Sequence, residues 1–143
     1  MIQTLIVDGP LRRGQLTAGT VLRAGDRAPD ATGLQGPNGT TQRLFQLLRG
    51  PQATVLVFGS ELPPPLRKTL DRFDQAVRCV RIVADGAGAM GCWIDADGTA
   101  QRLYAAAADA MLVIRPDGYV GLTGSTANHA ELGRYLRRIV GAP

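Results

Sequence analysis

The hydrophobic positions of this chain fall into a few patterns, and the clearest lies near its middle. Residues 53–58, Ala-Thr-Val-Leu-Val-Phe, carry no charge and are rich in β-branched and aromatic side chains. Such a run predicts a strand buried on both faces, at the centre of a sheet flanked by helices. Gly59 and Ser60 end it, and Pro63, Pro64 and Pro65 lead into the next segment. There Leu66, Leu70, Phe73 and Val77 recur at helical spacing, with Arg67, Lys68, Asp71, Arg72 and Asp74 on the other faces. One apolar stripe predicts an amphipathic helix. Val80 to Ala84 returns to a strand pattern, so strand, helix and strand form a crossover with parallel strands. Within Val77-Arg78-Cys79-Val80-Arg81, Cys79 alternates with arginines, as an inward strand residue would.

Downstream, Asp97-Gly98 marks a turn, and Gln101-Arg102-Leu103-Tyr104-Ala105 begins an alanine-rich helical piece. Met111 to Arg115, the turn Pro116-Asp117-Gly118, and Tyr119 to Leu122 predict an antiparallel hairpin. A final helix opens at Asn128 with Glu131 three residues on, a partial capping box. Leu132, Leu136 and Ile139 or Val140 form its apolar face, with Arg134, Arg137 and Arg138 toward its C-terminus. Upstream, Asn38-Gly39 between residues 32–35 and 40–44 is a strong hairpin signal. Phe45 to Gly50 reads as a short helical turn. Residues 1–24 hold a candidate edge strand at 2–7 and otherwise read as an arm or linker. Residues 25–143 read as one domain, and parallel crossover, hairpin and closing helix follow the thioredoxin-like order.

Composition adds limits. The 143 residues suffice for a core without staples, and 45% hydrophobic with 20% charged content is ordinary for a globular protein. No apolar run reaches the roughly 18 residues needed to span a bilayer. The start of the chain has no basic n-region of a signal peptide, so a cytoplasmic location and no membrane partner are expected. The net charge is +4, and Lys68 is the only lysine among the 16 basic residues. These are scattered and not interleaved with aromatics, which argues against a nucleic-acid partner.

Candidate chemistry is sparse. Two cysteines cannot make a disulfide framework, and both Cys79 and Cys92 read as inert thiols, Cys92 being the alternative reactive one. Asp95-Ala96-Asp97-Gly98 is a fragment of a calcium loop without its further ligands, so a plain turn is expected. A single histidine, His129, does not make a metal site. Ser60-Glu61 lacks the histidine that would activate a serine. Tyr104 and Tyr119 are assigned to core or hairpin packing. No cofactor and no metal are expected.

Two blocks carry a family resemblance. One is Gly25-Asp26-Arg27-Ala28-Pro29-Asp30, followed by the hairpin, Leu44 to Gly50 and Val55 to Gly59. The other is Leu112-Val113-Ile114-Arg115-Pro116-Asp117-Gly118-Tyr119-Val120. Their order is similar in outline to the N-terminal half of peroxiredoxins. It resembles more closely the C-terminal domain of FAD-dependent aromatic-ring hydroxylases, the phenol hydroxylase and polyketide hydroxylase group. The resemblance covers about residues 22–140. It implies an α/β, thioredoxin-like fold with an N-terminal β-hairpin extension and no redox motif. Thioredoxins and peroxiredoxins place a cysteine just after the central strand, where this chain has residues 60–65. A thioredoxin cis-proline has as its counterpart the stretch Ala108-Asp109-Ala110-Met111.

In the hydroxylases the resemblance implies a non-catalytic association module, with flavin and substrate held by preceding domains. The structural motif residues it picks out are Gly25, Asp26, Ala28, Pro29, Asp30, Arg115, Pro116, Asp117, Gly118 and Tyr119. The expected partner is a protein: a second copy in a homodimer, or a flavoprotein hydroxylase. The alternatives are a thiol-dependent enzyme using Cys92, or a small-molecule binding domain using a cleft beside Gly59 and Asp109.

Overall fold

A computed structural model describes residues 22–36, 39–59, 61–84, 91–104, 106 and 108–140. The candidate strand at 2–7, Ser60 and the glycine-rich stretch 85–88 lie outside the described residues. In chain order the elements are β1 (Leu34–Gln35), β2 (Thr41–Gln42), α1 (Leu44–Leu47), β3 (Ala53–Phe58), α2 (Pro64–Arg72) and β4 (Val77–Val83). They continue with β5 (Trp93–Asp95), α3 (Thr99–Tyr104), β6 (Ala110–Ile114), β7 (Val120–Ser125) and α4 (His129–Val140).

The uncharged run becomes β3, and every one of its residues is buried. It pairs with β4 in parallel and with β6 antiparallel, inside a seven-stranded sheet of order β2-β1-β5-β4-β3-β6-β7. Side chains alternate between two cores, as the pleat requires. Leu56, Phe58, Val80, Ile82, Leu112 and Ile114 face α3 and the N-terminal hairpin. Val55, Val57, Met111 and Val113 face α2 and α4, meeting Leu66, Leu70, Phe73, Leu132 and Leu136. Sheet cover on both faces is what lets β3 be uncharged and buried throughout.

Several boundaries differ from the sequence reading. Val77 opens β4 opposite Ala53 instead of ending the helix. The chain turns at Phe73, whose carbonyl accepts the N–H groups of Ala76 and Val77. Cys79 is exposed and Cys92 is the buried thiol, the reverse of the inward assignment for Cys79. The two helices pack over β3, β6 and the start of β4, so Val77 is covered and Cys79, two residues further on the same face, is not. Ile139 is 44% exposed, while Leu132 and Leu136 of the proposed α4 stripe are core; the side chain of Val140, the alternative to Ile139, lies outside the description.

β5 has no counterpart in the sequence reading. Its three residues are too few to show a period, yet they pair in parallel with β4 and antiparallel with β1. That strand attaches the hairpin, whose strands are two residues each, to the main sheet.

Candidate functional site

The corner after β3, where the resemblance places a redox cysteine, is built differently here. Gly59 has φ +128° and donates its N–H to the carbonyl of Ile82 (2.8 Å). A Cβ there would lie 3.0 Å from the carbonyl oxygen of Ala108, so the two strand ends lie in close apposition. Pro63 stands at the N-cap of α2, with Pro64 and Pro65 in the first turn. Proline has no N–H, so three of the four donors that a helix N-terminus offers to an anion are deleted. The dipole that lowers thiol pKa values elsewhere has little left to act through.

Neither thiol compensates. Cys92 is buried. Cys79 reaches solvent, but desolvation by its surroundings raises its pKa from 9.0 to about 11. The guanidiniums of Arg81 and Arg67 oppose this and are outweighed. Among the described residues no three His, Cys, Asp or Glu side chains converge to hold a metal ion. Asp95 instead caps α3, accepting the N–H groups of Ala100 and Gln101 at 3.0 Å each. This is the role of an N-cap carboxylate. Tyr104 is buried and donates its hydroxyl to the carbonyl of Pro29 (2.6 Å); burial, with Asp30 adding, holds its pKa well above normal.

The two sequence blocks, some ninety residues apart, meet at the opposite end of the sheet. Gly25 donates to the carbonyl of Val120 (2.7 Å), Val120 donates back to Asp26 (2.8 Å), and Ala28 donates to Gly118 (2.9 Å). Arg27 forms a β-bridge with Tyr119. The guanidiniums of Arg27 and Arg115 lie 5.6 and 5.9 Å from the Tyr119 ring centre, within cation–π range. Asp26 accepts the N–H of Arg23 and so closes the turn that starts the clasp. Asp30 holds α1 through the N–H of Phe45 (2.9 Å) and Nε of Arg43 (2.6 Å). In the β6–β7 turn Arg115 pairs with Asp117 at 2.5 Å, which keeps that carboxyl below the usual range. Gly118, at φ +89°, takes the left-handed turn position, which glycine occupies without a Cβ penalty.

Grooves flank this turn on both sides. The larger, of about 900 Å³, has small or apolar walls that include Ala24, Ala53, Ala76, Val120 and Ile139, with Arg115 and Asp117 at its rim. The smaller, of about 240 Å³, lies against Arg27, Phe45 and Leu48 and shares Pro116 and Asp117. Tyr135 also lines the larger groove. It is more than nine-tenths buried. Its ring lies under the Arg138 guanidinium at 5.6 Å, and burial raises its pKa. The hydroxyl packs over Gly121, where an added Cβ would come within 2.0 Å of it. Sequence reading missed Tyr135. Its only sequence signal is a position three residues from Leu132, beside the apolar stripe.

Fold and site together define a thioredoxin-like module whose activating helix end is filled with proline. Comparison with known proteins makes the assignment specific. The model of the family described as "Aromatic-ring hydroxylase, C-terminal" matches residues 22–143. The chain belongs to that family. It is 33% identical over 119 residues to a flavin-dependent monooxygenase from Mycobacteroides abscessus, covering 83% of this chain and 18% of the relative. The flavin-dependent monooxygenase PieE, solved with FAD and substrate, superposes with a TM-score of 0.64 at 23% identity. That match covers 85% of this chain and 21% of PieE. A thiol peroxidase from Chromobacterium violaceum superposes at 0.66 with 14% identity, over 90% of this chain and 95% of the peroxidase. Likeness at such identities is a likeness of fold. The chain thus spans about a fifth of the length of these two monooxygenases. No helix among the described residues is long and apolar enough to cross a membrane.

Proposed function

We propose that this chain is a non-catalytic association module of flavin-dependent aromatic hydroxylases, docking on the flavin-bearing polypeptide or on a second copy of itself. The observation that carries this reading is the family match joined to the proline-blocked end of α2. A thioredoxin-like scaffold does redox work through a thiolate stabilised at that helix end. Here the donors are absent, Cys92 is buried, and the pKa of Cys79 is raised. What the chain offers instead is surface: a clasped turn with exposed Tyr119 and two grooves beside it.

The test is turnover of the purified chain with hydrogen peroxide and with a protein disulfide, beside a cysteine-free variant. Both are expected at background, with no flavin absorption band in the preparation. Turnover clearly above the cysteine-free control would overturn the reading in favour of a thiol enzyme.

A further inference from the structure

The smaller groove, on the other flank of the Pro116–Gly118 turn, combines an apolar bed with unpaired positive charge. Phe45, Leu48 and Pro116 supply the bed, and Arg27 and Arg49, both exposed, stand beside it. Among the described residues neither guanidinium pairs with a carboxylate. Asp117, the acid in the lining, is already paired with Arg115. The Arg27 guanidinium lies over the Tyr119 ring, 5.6 Å from its centre. A cation held over a ring keeps N–H donors at its edge for an acceptor.

Both walls are fixed by the fold itself. On one side Asp30 accepts the N–H of Phe45 (2.9 Å) and so holds the start of α1. At the other end of α1, Arg78 donates to the carbonyls of Leu47 (2.7 Å), Leu48 and Arg49. The Nε of Arg78 is buried and has no acceptor among the described residues, so the clamp is kept at the cost of one unpaired donor. On the facing side the N–H of Ala28 donates to the carbonyl of Gly118 (2.9 Å), and Arg27 bridges to Tyr119. A site whose walls are set in advance loses little freedom on binding.

We propose that the groove between α1 and the Pro116–Gly118 turn binds a small aromatic carboxylate of a single ring. The ring lies on Phe45, Leu48 and Pro116, and the carboxylate accepts N–H groups from Arg27 and Arg49. A volume of about 240 Å³ admits one ring with its carboxyl group and falls below the range of pockets for larger ligands. The rings of Phe45 and Pro116 favour a flat partner over a flexible chain, and a guanidinium matches a carboxylate through two parallel hydrogen bonds. Phosphate meets the same cations but leaves the apolar bed uncovered. The site goes beyond the association reading, and each can fail without the other.

The test is a titration of the full chain with benzoate at constant ionic strength, read from the amide resonance of each residue. Saturable shifts are expected at residues 45–49 and at Asp117 and Gly118, with none at Gly121 and Tyr135 of the larger groove. Arg49→Gln and Arg27→Gln are each expected to weaken binding about fivefold or more. Arg134→Gln, which removes the same charge from an exposed position on α4, leaves binding unchanged. Benzamide, which lacks the charge, and inorganic phosphate, which lacks the ring, should each bind about fivefold more weakly than benzoate. Shifts that do not saturate, or that centre elsewhere, overturn the site. Equal weakening by Arg134→Gln reduces binding to the net charge of the chain and overturns it as well. Benzamide or phosphate binding as tightly as benzoate overturns the ligand class. Should Arg27→Gln fail to fold, Arg49→Gln decides alone, because the Arg49 side chain makes no hydrogen bond among the described residues. Unchanged binding by that variant refutes the proposal.

Discussion

Cys79 gives a sharp test because two of its properties point opposite ways. It is exposed, so reagents reach it, yet desolvation raises its pKa from 9.0 to about 11. At pH 7.4 a thiol of pKa 9.0 is about 2% thiolate, whereas one of pKa 11 is about 0.03%, a loss of roughly a hundredfold. Intrinsic nucleophilicity rises with pKa, with a Brønsted slope of about 0.4–0.5, and returns nearly tenfold of that. Alkylation of Cys79 by iodoacetamide in the folded protein should therefore run about tenfold slower than that of an unhindered thiol of pKa 9.0. The rate should climb about tenfold per pH unit through pH 10. The assay is peptide mass spectrometry after timed alkylation, with buried Cys92 as an internal reference that reacts only on unfolding. A rate at pH 7.4 equal to the unhindered thiol, or a plateau with its midpoint below pH 9, would refute the reasoning and reopen thiol chemistry. The same shift has a stability consequence of fixed sign. Between pH 9 and 11 the unfolded chain ionises first, so the contribution of this thiol to folding is intact below pH 9 and declines across that window.

Other expectations follow from the caps and close contacts. Asp95→Ala strips two N–H groups of α3 of their acceptor, one on fully buried Ala100, and should cost about 2 kcal/mol in urea unfolding. Gly121→Ala drives a methyl into the Tyr135 hydroxyl and should cost about 1–3 kcal/mol; part of that loss should be recovered in a Tyr135→Phe background, and no recovery would count against the contact. Arg78 donates to the carbonyls of Leu47, Leu48 and Arg49 at the end of α1. Replacing it by Met should lower stability by about 2 kcal/mol, while an unchanged unfolding midpoint would mean that water serves those carbonyls as well.

The sequence by itself determined the elements whose pattern is long. Residues 53–58 read as an inner strand because they carry no charge and, Thr54 apart, no polar side chain. The stripe of Leu66, Leu70 and Phe73 and the pair Leu132 and Leu136 fixed two helix faces, and Pro116-Asp117-Gly118 fixed a hairpin. Missing donors at α2 were legible too, since proline lacks an N–H in any fold. What tertiary structure alone decided is everything that depends on how far one element reaches over another. Cys79 and Val77 share a face and a pattern, and only the reach of α2 and α4 leaves one exposed and the other covered. Three residues of β5 have no period to read, and their strand exists because β4 and β1 offer unpaired backbone on either side. Residues 25–28 and 118–120 are remote in sequence and carry no local signal of each other, so the clasp and its grooves arise when the folded chain brings them together.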